Sequence, residues 1–135
     1  EELEKGNCIT VSPLEGTPAF FQDTDFLGRG GAGSAISMLY NDNLTKYNAL
    51  FICTIIKNCA TKFDYSDAFT SDNLKTLKIP LPAKKNQDGT FYIEAEKKYN
   101  DDGFIPDWQF MTKYITSVEE KTQVRIDILK HISLL

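Results

Sequence analysis

Ser71-Asp72-Asn73-Leu74-Lys75-Thr76-Leu77-Lys78-Ile79-Pro80-Leu81-Pro82 is the stretch whose reading decides the fold. The Ser71 hydroxyl is placed to accept from the free amides of a first helical turn, Asp72 sits where the helix dipole favours an anion, and Leu74 and Leu77 fall on one face. One short capped helix is therefore predicted. Pro80 and Pro82 forbid helix and each remove a ladder donor, while Ile79 and Leu81 point to one side of an extended segment. The unit is a helix followed by a terminal edge strand. Taken by itself it is a packing element without chemistry, and the other elements are placed around it.

Upstream, Asn7 to Ser12 alternates Ile9 and Val11 against Cys8, Thr10 and Ser12, the period of a half-buried strand. Pro13 to Pro18 reads as a turn, and Ala19 to Gln22 as a second strand. The segment Gly28-Arg29-Gly30-Gly31-Ala32-Gly33 imitates a phosphate loop, but its glycine spacing fits neither dinucleotide nor Walker patterns and no Lys-Ser or Lys-Thr pair comes after it. A strand comes next instead, Ser34 to Tyr40, with Ile36, Met38 and Tyr40 on one face. A glycine-rich loop holding one arginine brings backbone close to a nucleic-acid backbone or a guanine edge; the alternative is a plain hairpin loop.

Asn43 is positioned to cap a core helix running to about Asn58, with Leu44, Tyr47, Phe51 and Ile55 on one stripe and Leu50, Ile52 and Ile56 widening it. Next, Lys62, Phe63, Asp64, Tyr65, Ser66, Asp67 and Phe69 interleave polar and aromatic side chains. Lys84 to Thr90 is a hairpin-like turn with Phe91 to Ile93 returning, and Lys97 to Gly103 reads as a solvated insertion. Asp107 caps a last helix in which Trp108, Met111, Ile115, Val118 and, beyond a polar interruption at Thr122 and Arg125, Ile126, Leu129 and Ile132 recur every three to four residues. That seam is longer than a small domain needs to cover itself. His131, the single histidine, reads as a surface or helix-end residue.

The 135 residues are 41% hydrophobic and 25% charged, which is ordinary for one soluble globular domain, and no apolar run approaches the length of a membrane helix. The chain opens on Glu1-Glu2-Leu3-Glu4 without methionine or a secretion pattern, so it reads as a piece of a longer protein. Cys8, Cys53 and Cys59 form no Cys-x-x-Cys pair or Cys/His ligand set, which fits a reducing cytoplasm; Cys53 and Cys59 read as core filling, and neither metal nor other cofactor is expected. A net charge of −4 argues against a freestanding nucleic-acid binder. Its distribution is uneven: Glu1 to Asp42 holds two basic and seven acidic residues, whereas Lys46 to Lys98 holds nine lysines against six acids. The second half is the expected nucleic-acid face, and a base-reading module need not be strongly basic if partners clamp the phosphates, because base edges are read by hydrogen bonds and shape. No nucleophile is paired with a base, so an enzyme is not expected.

Read in order, Gly6-Asn7-Cys8-Ile9-Thr10-Val11-Ser12, Gly16, Ala19-Phe20-Phe21-Gln22, Lys46-Tyr47-Asn48-Ala49-Leu50-Phe51-Ile52, Leu74-Lys75-Thr76-Leu77-Lys78-Ile79-Pro80-Leu81-Pro82 and Asp107-Trp108-Gln109-Phe110-Met111 carry a resemblance. The chain resembles the distal part of target recognition domains in Type I restriction-modification specificity subunits and their relatives fused to Type IIG and IIB restriction-methylation enzymes. The resemblance implies an α+β fold: a small twisted, mostly antiparallel sheet with packed helices over residues 1–106, then from 107 to 135 the start of a long spacer helix that pairs as a coiled coil. It implies sequence-specific recognition of double-stranded DNA by a bacterial, cytoplasmic module that directs methyltransferase and restriction subunits, or fused equivalents, and that carries no catalytic group.

Within that reading Ser12, Arg29 and Gly30 are assigned to the base-reading edge, and Lys62, Tyr65 and Ser66 to backbone positioning. Relatives carry a similar aromatic and polar stretch ahead of the Leu-Lys-x-Leu-Lys-Ile-Pro-Leu-Pro signature, richer in glycine and basic residues; Asp67 and Ala68 depart from it. A connector packed through Phe63 and Phe69 stays open there. Ile115, Val118, Ile126, Leu129 and Ile132 form the expected partner-helix face, with self-association through it. The rival function is a protein-interaction module that works through this helix and binds no DNA of its own.

Overall fold

A computed structural model of the chain describes residues 3–12, 19–27, 36–62 and 74–133. Strands β1 (Cys8–Val11), β2 (Ala19–Gln22) and β3 (Ser37–Leu39) form one antiparallel sheet in the order β2-β1-β3. Helix α1 (Lys46–Lys62) packs across β2 and β1, and α2 (Trp108–Ser133) packs on α1. The class is α+β, as expected.

Alternation sets the sheet's two faces. Ile9 and Val11 point into the core, and the register Ile9↔Phe21, Val11↔Ala19 and Ile9↔Leu39 puts those partners on the same side. The sequence assigned the apolar face of the third strand to Ile36, Met38 and Tyr40, and the structure reverses it. Leu39 packs on the core, while Tyr40 is exposed and its hydroxyl donates to the Lys5 carbonyl at 2.9 Å. A short strand with apolar residues at both parities takes its face from its partner's register.

The α1 cap is Thr45, not Asn43. The Asn48 amide N–H donates to Thr45 Oγ1 at 3.4 Å and the Thr45 N–H donates to Asn48 Oδ1 at 2.7 Å, a reciprocal box in which asparagine takes the usual place of glutamate. Asn48 is buried and also donates from Nδ2 to the Asn43 carbonyl at 2.8 Å, so its side-chain oxygen and nitrogen are both used. The core stripe is shifted as well. Ala49, Ile52, Cys53 and Ile56 face the sheet, whereas Phe51 turns toward α2 and meets Phe110 and Tyr114 edge-on, with centroids 6.5 and 5.5 Å away. Of the two cysteines read as core filling, Cys53 is buried and Cys59 only half-buried.

In the Ser71–Pro82 stretch, Ser71 to Asn73 lie outside the described residues, Leu74 is helical, and the Leu77 N–H bonds the Leu74 carbonyl at 3.3 Å. Leu74, Leu77, Ile79 and Leu81 all pack against the core. The expected edge strand does not join the sheet. Pro80 and Pro82 offer no ladder donors, and the segment instead meets residues that precede α2: Asp107 N–H donates to the Pro82 carbonyl at 2.7 Å, and Ala83 bridges Pro106. Residues 83–106 are thus a closed excursion, pinned at its neck. Inside it Lys85 bridges Phe91 around a turn at Asn86 to Thr90, and the Glu94 N–H donates to the Gly103 carbonyl at 2.7 Å. The Asp88 carboxyl is held below its ordinary range because the Thr90 hydroxyl and amide both donate to it.

Asp107 caps α2, accepting from the Phe110 N–H at 2.9 Å, and Met111 is fully buried. Ile115 is half-buried, but Val118 to Asp127 are all exposed, so the seam leaves the body after the first turns. At Leu129 and Ile132 only the helical backbone is described. The 26 residues of α2 span about 39 Å, against about 25 Å for the 17 of α1. No described helix is long and apolar enough to cross a membrane.

Three outcomes are expected from this packing. Gly103 holds φ +84°, and an added Cβ would stand 2.7 Å from the Glu94 carbonyl, so Gly103→Ala should lower stability by about 1–3 kcal/mol. Asp107→Ala should cost about 1 kcal/mol through the lost cap, both read as shifts in the urea midpoint. Burial raises the Cys53 thiol from 9.0 to about 11. A raised folded value stabilises fully below the unfolded one and is lost as pH climbs through it, so stability should fall between pH 9 and 11. Cys53→Ala should flatten that part of the curve.

Candidate nucleic-acid interface

One end of this fold gathers the two nominated DNA-contact residues that are described, Ser12 and Lys62. The pairs Val11↔Ala19 and Val11↔Ser37 bring Ser12, Ala19 and Ile36 to the same end of the sheet. The last turns of α1 arrive there too, because Lys57 Nζ stands 5.3 Å from the centroid of the Phe20 ring. The first turn of α1 lies at the opposite end, where Asn7 Nδ2 donates to the Leu44 carbonyl at 3.2 Å.

Of the nominated residues, Ser12 directly succeeds β1 and is half-buried, and Lys62 closes α1 with only its backbone described. These two are brought to the same end. Arg29, Gly30, Tyr65 and Ser66 lie outside the described residues, but Ile36, which comes after the glycine-rich segment, and Lys62, which precedes the aromatic one, both stand at this end. Lysines near a helix C-terminus are also favoured by its dipole, which accounts for part of the clustering.

A second surface was not nominated by the sequence. In the 83–106 excursion Lys84 lies over Tyr92, Lys85 over Phe91 and Lys98 over Tyr99, at 4.8, 5.5 and 5.6 Å from the ring centroids. Phe91, Tyr92, Ile93 and Tyr99 are exposed. The clue was lysines recurring beside aromatics at positions 84–85, 91–92 and 98–99. The excursion also carries Asp88, Glu94, Glu96, Asp101 and Asp102 against Lys84, Lys85, Lys97 and Lys98, so it makes no net cationic patch. It sits at the α1 N-terminal end, tied by Asn41 Nδ2 donating to the Tyr99 hydroxyl at 3.1 Å. A groove of about 450 Å³ lined by Asn43, Lys84, Lys98, Tyr99 and Trp108 opens there.

Neither surface assembles a reacting centre among the described residues, and no group of His, Cys, Asp or Glu among them is arranged to hold a metal.

The chain is 29% identical over 130 residues to the Type II restriction enzyme BgcI specificity subunit S.BcgI of Heyndrickxia coagulans, a match that takes in 95% of this chain. This chain is related to a restriction-enzyme specificity subunit. It spans about a third of that relative's length, 32%. No family model matches the sequence, and no solved structure matches it. The relationship agrees with the resemblance carried by the strand, helix and Ile-Pro-Leu-Pro segments at the level of a specificity subunit. The relative is of Type II, one of the classes that the resemblance spans.

Proposed function

We propose that this chain is a DNA-recognition module of a restriction-modification system and that it directs a methyltransferase and endonuclease, as separate subunits or fused parts, to a target site. The relationship to a specificity subunit along nearly the whole chain is the observation that carries this reading. The convergence of Ser12, Ile36 and Lys62 supports it further, since a reading surface must present several segments together to one groove. Ser12, Arg29 and Gly30 read base edges in the major groove. Lys62, Tyr65 and Ser66 position the phosphate backbone. With a net charge of −4, most phosphate neutralisation falls to the partners.

The rival reading, an interaction module acting through α2, is favoured by the exposure of Val118, Val124 and Ile126 on a helix that outruns its own domain. The two readings join if α2 pairs as a spacer coiled coil, by self-association in this chain alone. Apolar side chains of this size gain roughly 1.5–3 kcal/mol each on full burial, so a partnered state is favoured once concentration allows it.

Selection from a random duplex pool, with the partner methyltransferase present, should enrich one sequence; no retardation at low salt would sink the DNA reading. Arg29→Ala should relax preference at one base position, by about 1–3 kcal/mol of discrimination. Lys62→Ala should instead weaken all sequences alike and reduce the salt slope by about 1. For α2, the double replacement Ile126→Glu and Leu129→Glu should give a soluble monomer with the globular part intact. Sedimentation of the unmodified chain as a monomer at high concentration would remove the self-pairing helix.

A further inference from the structure

We propose that Lys57, held over the ring of Phe20, contacts a DNA phosphate at the end of the fold where Ser12 and Lys62 stand. The assignment deepens the DNA-recognition reading above and rests on it. Phe20 pairs with Thr10 and, because Ala19 and Phe21 take the core side of β2, projects from the other face, where it is 50% exposed. A single exposed phenylalanine needs no explanation by itself. Its contact with Lys57 is what matters. The ammonium stands 5.3 Å from the ring centroid, and among the described residues no carboxylate pairs with it.

A lysine held by a carboxylate spends its charge there. One held by an aromatic face does not: the ring attracts the cation through its quadrupole, restrains a flexible stem, and leaves N–H donors directed away from the ring. That is a preplaced point charge, which suits a phosphate oxygen. The lysines of the 83–106 excursion share this geometry but stand among five carboxylates, Asp88, Glu94, Glu96, Asp101 and Asp102, at the opposite end of α1. Location therefore singles out Lys57. In this arrangement Phe20 is a positioning residue and Lys57 the contact.

The test is equilibrium binding of the full chain, with the partner methyltransferase present, to a short random-sequence duplex across a series of salt concentrations. Lys57→Gln should weaken binding and make the logarithmic salt slope shallower by about 0.9, the value for one phosphate on duplex DNA, while Lys57→Arg keeps it. Phe20→Leu should weaken binding less and leave the slope unchanged. If Lys57→Gln shifts the urea midpoint but not the salt slope, Lys57 serves only the helix and the proposal is overturned, though DNA binding by the parent chain stands. If, with the partner methyltransferase present, the parent chain retards no duplex at any salt concentration, the recognition reading falls, and this proposal with it.

Discussion

The fold depends on the burial of one four-residue strand. Cys8, Ile9, Thr10 and Val11 are all buried, with β2 on one side, β3 on the other and α1 across the face that carries Ile9 and Val11. A central strand satisfies its amides and carbonyls through both neighbours, and its period-two alternation dictates which of their residues face inward. Leu39 enters the core for that reason. Thr10 shows the same constraint on the other face, where Gln22 Nε2 donates to its hydroxyl at 3.4 Å and Phe20 is left to solvent.

The same strand aligns everything at the candidate interface. Antiparallel pairing on both sides means that the exit of β1, the entry of β2 and the entry of β3 share one end, and α1 runs toward that end from its Thr45–Asn48 cap. Segments distant in sequence are thereby presented together on a rigid base, as recognition loops generally are. The opposite end is occupied by structural ties: the Asn43 carbonyl on Asn48, Asn41 on Tyr99, and the neck where Asp107 meets Pro82. Topology alone therefore decides which segments share each end.

Helix α2 belongs to both parts of the molecule. Its first turns are core, with Met111 fully buried and Phe110 and Tyr114 against Phe51, and the turns from Val118 to Asp127 are in solvent. Thr112, Thr116 and Thr122 bond back to carbonyls at Trp108, Thr112 and Val118, satisfying their hydroxyls within the helix. Nothing in the helix itself requires the sheet beyond its first turns, which is consistent with an element that serves something outside the domain.

Several features were legible in the sequence because they are local. The alternation of Ile9 and Val11, the apolar character of the helix after Thr45, the Asp107 cap and the prolines that exclude residues 80–82 from helix each act through near neighbours in the chain. The kinship to a specificity subunit was legible too, in the order of those segments. Only the tertiary structure decided the rest. Asn43 and Thr45 both have capping side chains, and the choice fell to Thr45 because Asn48 closes the reciprocal bond with it. Leu39 and Tyr40 are both apolar enough for a core, and the pairing with Ile9 chose between them. Ile79 and Leu81 are packing residues, as their spacing implies, but their partner differs from the expected one, since the prolines direct the segment to residues 105–107 instead of a sheet. The pairing of Lys57 with Phe20 spans two elements that only the α1–sheet packing brings together. Side-chain periodicity depends on neighbours within a few residues, whereas register, cap choice and the meeting of distant side chains depend on which surfaces are buried together.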